Sequence, residues 1–309
     1  HSVNRNGDTM KISTNVKLSA QCMSCLITRQ MEGLKDTASE EMKSAYMREV
    51  FQIIGAALPE DTAPVLIAKI NVLHEKYFGH AYSFEQLKKD YNHMMLEAED
   101  RIRACIARAE DPVYHGILYA RVGNYIDFGA MGSVSDEKLR ELIEKAEEET
   151  LDPAEYRRFT EQMETAKNLV YLTDNCGEIV LDKLLIEQLS KKYPQVHITV
   201  IVRGEPVIND ATIEDAKMIG LTDLVPVIGN GTKIAGTSLK DISEEARDLI
   251  SHADVILSKG QGNFETLNNS GLNIYYMFLC KCSWFVNRFG LEQYKGVFVN
   301  DRSLGRDGI

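Results

Sequence analysis

No apolar run in this 309-residue chain approaches the ~20 residues that a membrane-spanning helix needs. No secretory leader pattern is read either. The polar residues His1 to Thr9, ahead of Met10, are expected to be a remnant of expression (1–9). Positive charge is short as well. The net charge of −11 excludes a nucleic-acid backbone as the main partner, because phosphate chains demand a basic footprint. It leaves room for a small phosphorylated ligand, which needs only a local positive site or a metal. The six cysteines are too few and too scattered for a disulfide framework, and they fit a reducing, cytoplasmic setting. Internal repeats and low-complexity stretches are absent.

What is present is an ordinary globular composition, 44% hydrophobic and 26% charged, and two grammars in succession. From Met10 to about Gly132 the apolar residues recur near a 3.6 period, as in Met42, Ala45, Tyr46, Val50, Ile53 and Ile54. Helices are expected over 40–57, 65–78, 84–109 and 120–126, broken at Pro59, Pro64, Gly79, Asp111-Pro112 and Gly129. Residues 133–167 form a charge-rich helical connector. From Asn168 strands and helices alternate, the pattern of parallel βαβ units. The expected fold is α/β: a helical N-terminal region (10–132) packed on a Rossmann-like, mostly parallel sheet with helices on both faces (168–309).

Three strands end in small polar clusters. Leu169–Leu172 runs into Asp174-Asn175-Cys176-Gly177-Glu178. The β-branched run Val196–Val202 ends at Arg203-Gly204-Glu205-Pro206, followed by Asn209-Asp210. The run through Leu257 ends at Ser258-Lys259-Gly260-Gln261-Gly262-Asn263. In a parallel sheet these ends share one edge, where ligands of open α/β sheets bind. Two carboxylates and an amide oxygen make a hard, oxygen-rich site suited to Mg²⁺, Mn²⁺ or a similar ion. Lys259 and neighbouring amides are placed to neutralise a phosphate. Each piece also has a plainer meaning. Asp174, Asn175 and Asp210 are acceptable helix N-caps, and Arg203 has Glu205 or another surface carboxylate to pair with.

The combination Thr173-Asp174-Asn175-Cys176-Gly177-Glu178, Arg203-Gly204-x-Pro206-x-x-Asn209-Asp210-Ala211-Thr212 and Lys259-Gly260-Gln261-Gly262-Asn263-x-Glu265 resembles the metal-dependent damage-control phosphatases. That ARMT-like family was first catalogued as domain of unknown function eighty-nine. Cys22, Cys25 and the segment Gly123–Gly129 resemble its prokaryotic, cysteine-containing branch. The resemblance implies that Asp174, Asn175 and Asp210 hold a divalent metal (Mn²⁺, Mg²⁺, Co²⁺ or Ni²⁺). It implies that Lys259 contacts phosphate, and that Glu178, Asn124, Asp127 and Arg203 line the substrate pocket. The implied reaction is hydrolysis of phosphate monoesters on small metabolites, such as sugar phosphates or damaged phosphometabolites. The expected step is attack on the phosphoryl group by a metal-activated water, with Asp174 or Asp210 as base.

Two rivals stand beside it: an S-adenosylmethionine-dependent protein carboxylate methyltransferase and a non-catalytic metabolite-binding module. Both fit poorly with a first turn, Asp174–Gly177, that holds one glycine where nucleotide cofactors need several. Cys22, Cys25, Cys280 and Cys282 suit a structural zinc, a redox pair or plain buried thiols. Cys176 has no basic partner in sequence to make it a nucleophile. The expected partner is therefore a small phosphorylated metabolite, with neither nucleic acid nor membrane; oligomeric state is not legible.

Overall fold

The computed structural model describes residues 17–34, 38–79, 83–124 and 136–304. A six-stranded sheet organises it, in the order β3-β2-β1-β4-β5-β6. The strands are β1 (Asn168–Leu172), β2 (His197–Val202), β3 (Val227–Gly229), β4 (Val255–Lys259), β5 (Ile274–Leu279) and β6 (Gly296–Asn300). The first five are mutually parallel, and β6 returns antiparallel along β5. Strand order reverses between β1 and β4, and the crevice outside such a reversal is where ligands of open α/β sheets sit.

The central strands are apolar on both sides because both sides are covered. Leu169 and Tyr171 of β1 enter one core, while Val170 and Leu172 enter the other. Leu257 and Ile256 of β4 divide in the same way, as a period of two requires. The first core is closed by α4 (Glu85–Arg108), α5 (Pro112–Gly123), α6 (Asp136–Glu148), α7 (Pro153–Thr165), α8 (Glu178–Lys192) and α9 (Ile213–Met218). The second is closed by α10 (Glu244–Ser251), α11 (Gln261–Leu267) and α12 (Ser283–Phe289). The remaining helices, α1 (Ala20–Gly33), α2 (Glu40–Gly55) and α3 (Ala63–Phe78), build a third cluster of their own around Tyr46, Val50 and Leu66.

The glycine-flanked stretch after Lys259 is helical from Gln261. Cys280 directly follows the last residue of β5 and is buried, and Cys282 is the residue capping α12. Glycine also sets one helix approach. A Cβ on Gly123 would meet Glu178 Cβ and a Leu181 methyl at 2.9 Å, and one on Gly116 would meet a Leu185 methyl at 3.0 Å. Seven residues apart on one face of α5, these two glycines let it lie close against α8. Asn124, which follows Gly123, is thereby delivered to the end of β1. Among the described residues no helix is long and apolar enough to cross a membrane.

Candidate active site at the strand switch

Beyond Leu172 the chain leaves the sheet through Thr173, Asp174 and Asn175, turns at Gly177 (φ 82°) and enters α8. The helix is capped by Gly177, not by Asp174 or Asn175. The Gly177 N–H donates to Asn92 Oδ1 of α4 at 2.8 Å. Asn92 also donates to Asp215 at 3.0 Å, so a buried amide from the N-terminal half secures the turn. The helix after β2 is capped by Thr212, not by Asp210. All three residues are therefore free of the capping roles that sequence left open for them.

Backbone bonds bind the β1 and β2 extensions together. Cys176 N–H donates to Asn209 O, and Ala211 N–H donates to Asp174 O, each at 2.8 Å; Asn175 and Asp210 form an isolated bridge. Arg203, at the end of β2, lies behind the two acids and is 2% exposed. Its Nε donates to Asp210 Oδ2 at 2.6 Å, and Nη2 lies 3.5 Å from Asp174 Oδ1. Its partners are thus the two candidate ligands, not surface Glu205. Nη1 donates to Asn263 Oδ1 at 2.9 Å. Asn263 in turn donates to Thr173 O at 3.1 Å and Lys259 O at 2.8 Å, so one amide ties the ends of β1, β2 and β4.

Asp174 Oδ2 accepts from Asn124 at 3.0 Å and from Asn175 at 2.9 Å. Glu178 accepts from Asn175 N–H at 3.1 Å and from Asn124 at 3.2 Å. It is 1% exposed, so it both caps its own turn and faces the site. Gly260 (φ 83°) passes so close that a Cβ there would lie 2.0 Å from Asp174 Oδ2. Lys259, two residues after Leu257, points to the same sheet face as α8. Its Nζ donates to Asp182 at 2.6 Å and lies 3.6 Å from Glu178. It is fully buried, so it sits beneath the carboxylates rather than at the mouth. Tyr171 donates to the same Asp182 oxygen at 2.7 Å. Asp127 lies outside the described residues.

Crowding of acids dominates the electrostatics. Burial, then Glu178 and Asp210, hold Asp174 well above the usual carboxylate range, against Arg203 and Lys259. Burial also raises Asp210, with Arg203 opposing. Asp182 is pushed up to about 6 by burial, against Lys259. Burial would depress Lys259, but Asp182 and Glu178 keep it above its ordinary value. Carboxylates that repel one another in a dry pocket take up a proton or a cation.

Among the described residues no three of His, Cys, Asp and Glu stand together to ligate an ion. The expected set has two carboxylates and takes its third oxygen from Asn175. Oxygen donors of this kind suit a hard divalent cation. The Asn175 amide now turns its nitrogen to Asp174; ligation would use its oxygen instead. With that exchange the residues fit the ion. All six cysteines are unpaired. Burial raises the Cys176 thiol steeply, which disfavours a thiolate nucleophile.

Sequence reading missed Asn92, Asp182, Asn263 and the Gln261–Glu265 face of α11. Asn263 and Glu265 stood within the recognised motif without a role. Asn92 and Asp182 lie within helical stretches and carried no signal.

Residues 18–297 match the model of the damage-control phosphatase ARMT1-like domain. A damage-control phosphatase of Pyrococcus horikoshii is 30% identical over 271 residues, spanning 86% of this chain and 92% of its own. A damage-control phosphatase of Archaeoglobus fulgidus is 28% identical over 284 residues, 90% of this chain and 96% of its own. A crystal structure of a DUF89 family protein from Pyrococcus horikoshii superposes with a TM-score of 0.76 at 27% identity, covering 92% of this chain and 98% of that one.

Proposed function

The chain belongs to the damage-control phosphatase ARMT1-like family, and on that footing we propose that it is a divalent-metal-dependent phosphatase of small metabolites. Phosphate monoesters such as sugar phosphates or damaged phosphometabolites are the substrate class. The observation that carries this reading is the meeting of Asp174, Asn175 and Asp210 outside the β1–β4 switch, with Arg203 behind them and Lys259 beneath. The two named relatives, both damage-control phosphatases, support it.

Asp174, Asn175 and Asp210 would hold the metal. A bound Mn²⁺, Mg²⁺, Co²⁺ or Ni²⁺ would polarise a phosphoryl oxygen and acidify a water for in-line attack. Whichever of Asp210 and Asp174 is not fully committed to the metal accepts the proton of the attacking water. Lys259 compensates charge as it builds on the transferred group, acting across Glu178 from below. Asn124 orients Asp174 and Glu178 through its two amide contacts. The six unpaired thiols suit a cytoplasmic location.

The test is phosphate release from p-nitrophenyl phosphate with each of the four metals, a chelator control, and a parallel titration of S-adenosylmethionine. Metal-dependent release that is lost in Asp174→Ala is expected. Undiminished activity in that variant, or methyl-donor binding without release, would overturn the reading.

A further inference from the structure

Lys259 has two carboxylate neighbours, and it treats them differently. Glu178 and Asp182 are four residues apart on α8, so they lie on one side of the helix. The Lys259 ammonium donates to Asp182 Oδ1 at 2.6 Å but stands 3.6 Å from Glu178 Oε1, beyond hydrogen-bond reach. It is bonded to the acid that makes no contact with the metal-ligand candidates and only attracted to the one that does. Tyr171 Oη, from β1, donates to the same Asp182 oxygen at 2.7 Å. Asp182 and Lys259 are both fully buried.

A core ion pair kept for stability would balance its charges and fill its polar atoms. Here two acids share one ammonium, and among the described residues Asp182 Oδ2 finds no hydrogen-bond partner. A bare buried oxygen costs free energy, and apolar residues of similar volume often replace a buried ion pair without loss. The nearby α8 residues Leu181, Leu184 and Leu185 are apolar and buried, so such a replacement would suit this helix. The acid is kept at a cost, directly behind a carboxylate that faces the site. Glu178 meanwhile accepts from Asn175 N–H and from Asn124. A Lys259 released by Asp182 would close on Glu178 and compete with both donors. Each of those asparagines also binds Asp174, so the disturbance would reach the metal-ligand set.

We infer that Asp182 is a positioning residue for phosphoryl transfer: braced by Tyr171, it holds the Lys259 ammonium back from Glu178. Glu178 then stays free to hold Asn175 and Asn124, and the ammonium stays free to answer charge that builds beyond Glu178. This rests on the phosphatase reading. Burial would depress Lys259, and Asp182 is first among the charges that oppose it, ahead of Glu178. The contact that places the ammonium therefore also keeps it protonated.

The test combines kinetics with a readout that needs neither metal nor substrate. With p-nitrophenyl phosphate and the most activating metal, Asp182→Asn should lower kcat by ~100-fold while KM stays within ~threefold. In a Lys259→Met background the same change should cost less than ~twofold, because its effect passes through the lysine. Tyr171→Phe leaves every charge in place and should lower kcat about tenfold; it carries the test if Asp182→Asn does not fold. In the metal-free chain labelled with [¹³Cε]lysine, the Lys259 signal, assigned by its loss in Lys259→Met, should remain that of an ammonium to about pH 10. In Asp182→Asn its midpoint should fall by ~1 pH unit or more. A folded Asp182→Asn chain with wild-type kcat and an unmoved Lys259 midpoint would overturn the inference, as would an equally large loss in the Lys259→Met background. A wild-type chain that releases no phosphate with any metal would overturn the phosphatase reading instead, and the Lys259 midpoint would still decide whether Asp182 anchors the ammonium.

Discussion

Replacing Gly260 by alanine isolates the contact on which the Asp174 geometry depends. Gly260 has φ 83° and ψ 158°, a region that is essentially restricted to glycine and costs other residues about 1–3 kcal/mol. The new Cβ would also stand 2.0 Å from Asp174 Oδ2 and 2.2 Å from its Cγ. The obstacle is a side-chain end, so Asp174 can swing aside and the fold survives. The site does not, because a displacement of about 1 Å in a catalytic group can cost ~100-fold in rate. Gly271→Ala is the matched control: it shares the positive φ, at 80°, but its Cβ meets nothing within 4 Å. Both variants should lose comparable stability by thermal or denaturant unfolding. Only Gly260→Ala should lose ~100-fold or more in metal-dependent phosphate release. If the two variants retain similar activity, Asp174 is not held where the chemistry requires it, and the reasoning fails.

Three further outcomes follow from the same geometry. Arg203→Met strips the buried cation from Asp174 and Asp210; breaking such a pair from one side should cost about 3–5 kcal/mol in urea unfolding, with part of the loss recovered by divalent metal. Mn²⁺ at ~100 times its dissociation constant should stabilise the chain by about 2.7 kcal/mol, an effect reversed by chelator and absent in Asp210→Asn. The Glu265 carboxyl is raised from 4.5 to about 7, so the folded state binds the extra proton and stability falls as pH rises through that window. With its partial exposure allowed for, the loss between pH 5 and 8 should be about 2 kcal/mol, and Glu265→Gln should flatten that share of the profile; an identical pH dependence in the variant would refute it.

The β-branched run ending at Val202 and the apolar run ending at Leu172 announce buried strands, because few other structures accept such sequences. Their polar ends then point to one edge, and that step brings Asp174, Asn175, Asp210, Glu178 and Lys259 into one neighbourhood on the page. Direction was less legible. Gly296–Asn300 reads as a strand, but nothing in five residues says that it runs against β5. The capping alternatives for Asp174 and Asp210 needed backbone geometry to dismiss them, since an acid before a helical pattern looks the same in either role. The α11 helix was hidden by Gly260 and Gly262, which signal a loop locally. Gly262 is instead required because Ala235 O would lie 2.1 Å from any Cβ there. Lys259 shows the deepest limit: its charge and position could be read, but its burial under Glu178 against Asp182 depends on how α8 seats on the sheet.

The Asn92 contact bears on how the molecule is made. During synthesis α4 leaves the ribosome with that amide exposed, and its partner Gly177 follows 85 residues later. Asn124 likewise awaits Asp174, 50 residues on. Arg203 then needs Asn263, 60 residues further still. Each early helix therefore carries an unfilled position for a later strand end. The full set of contacts is available only once the chain has passed Asn263, so a nascent or truncated product that stops short of it holds the early pieces without their partners.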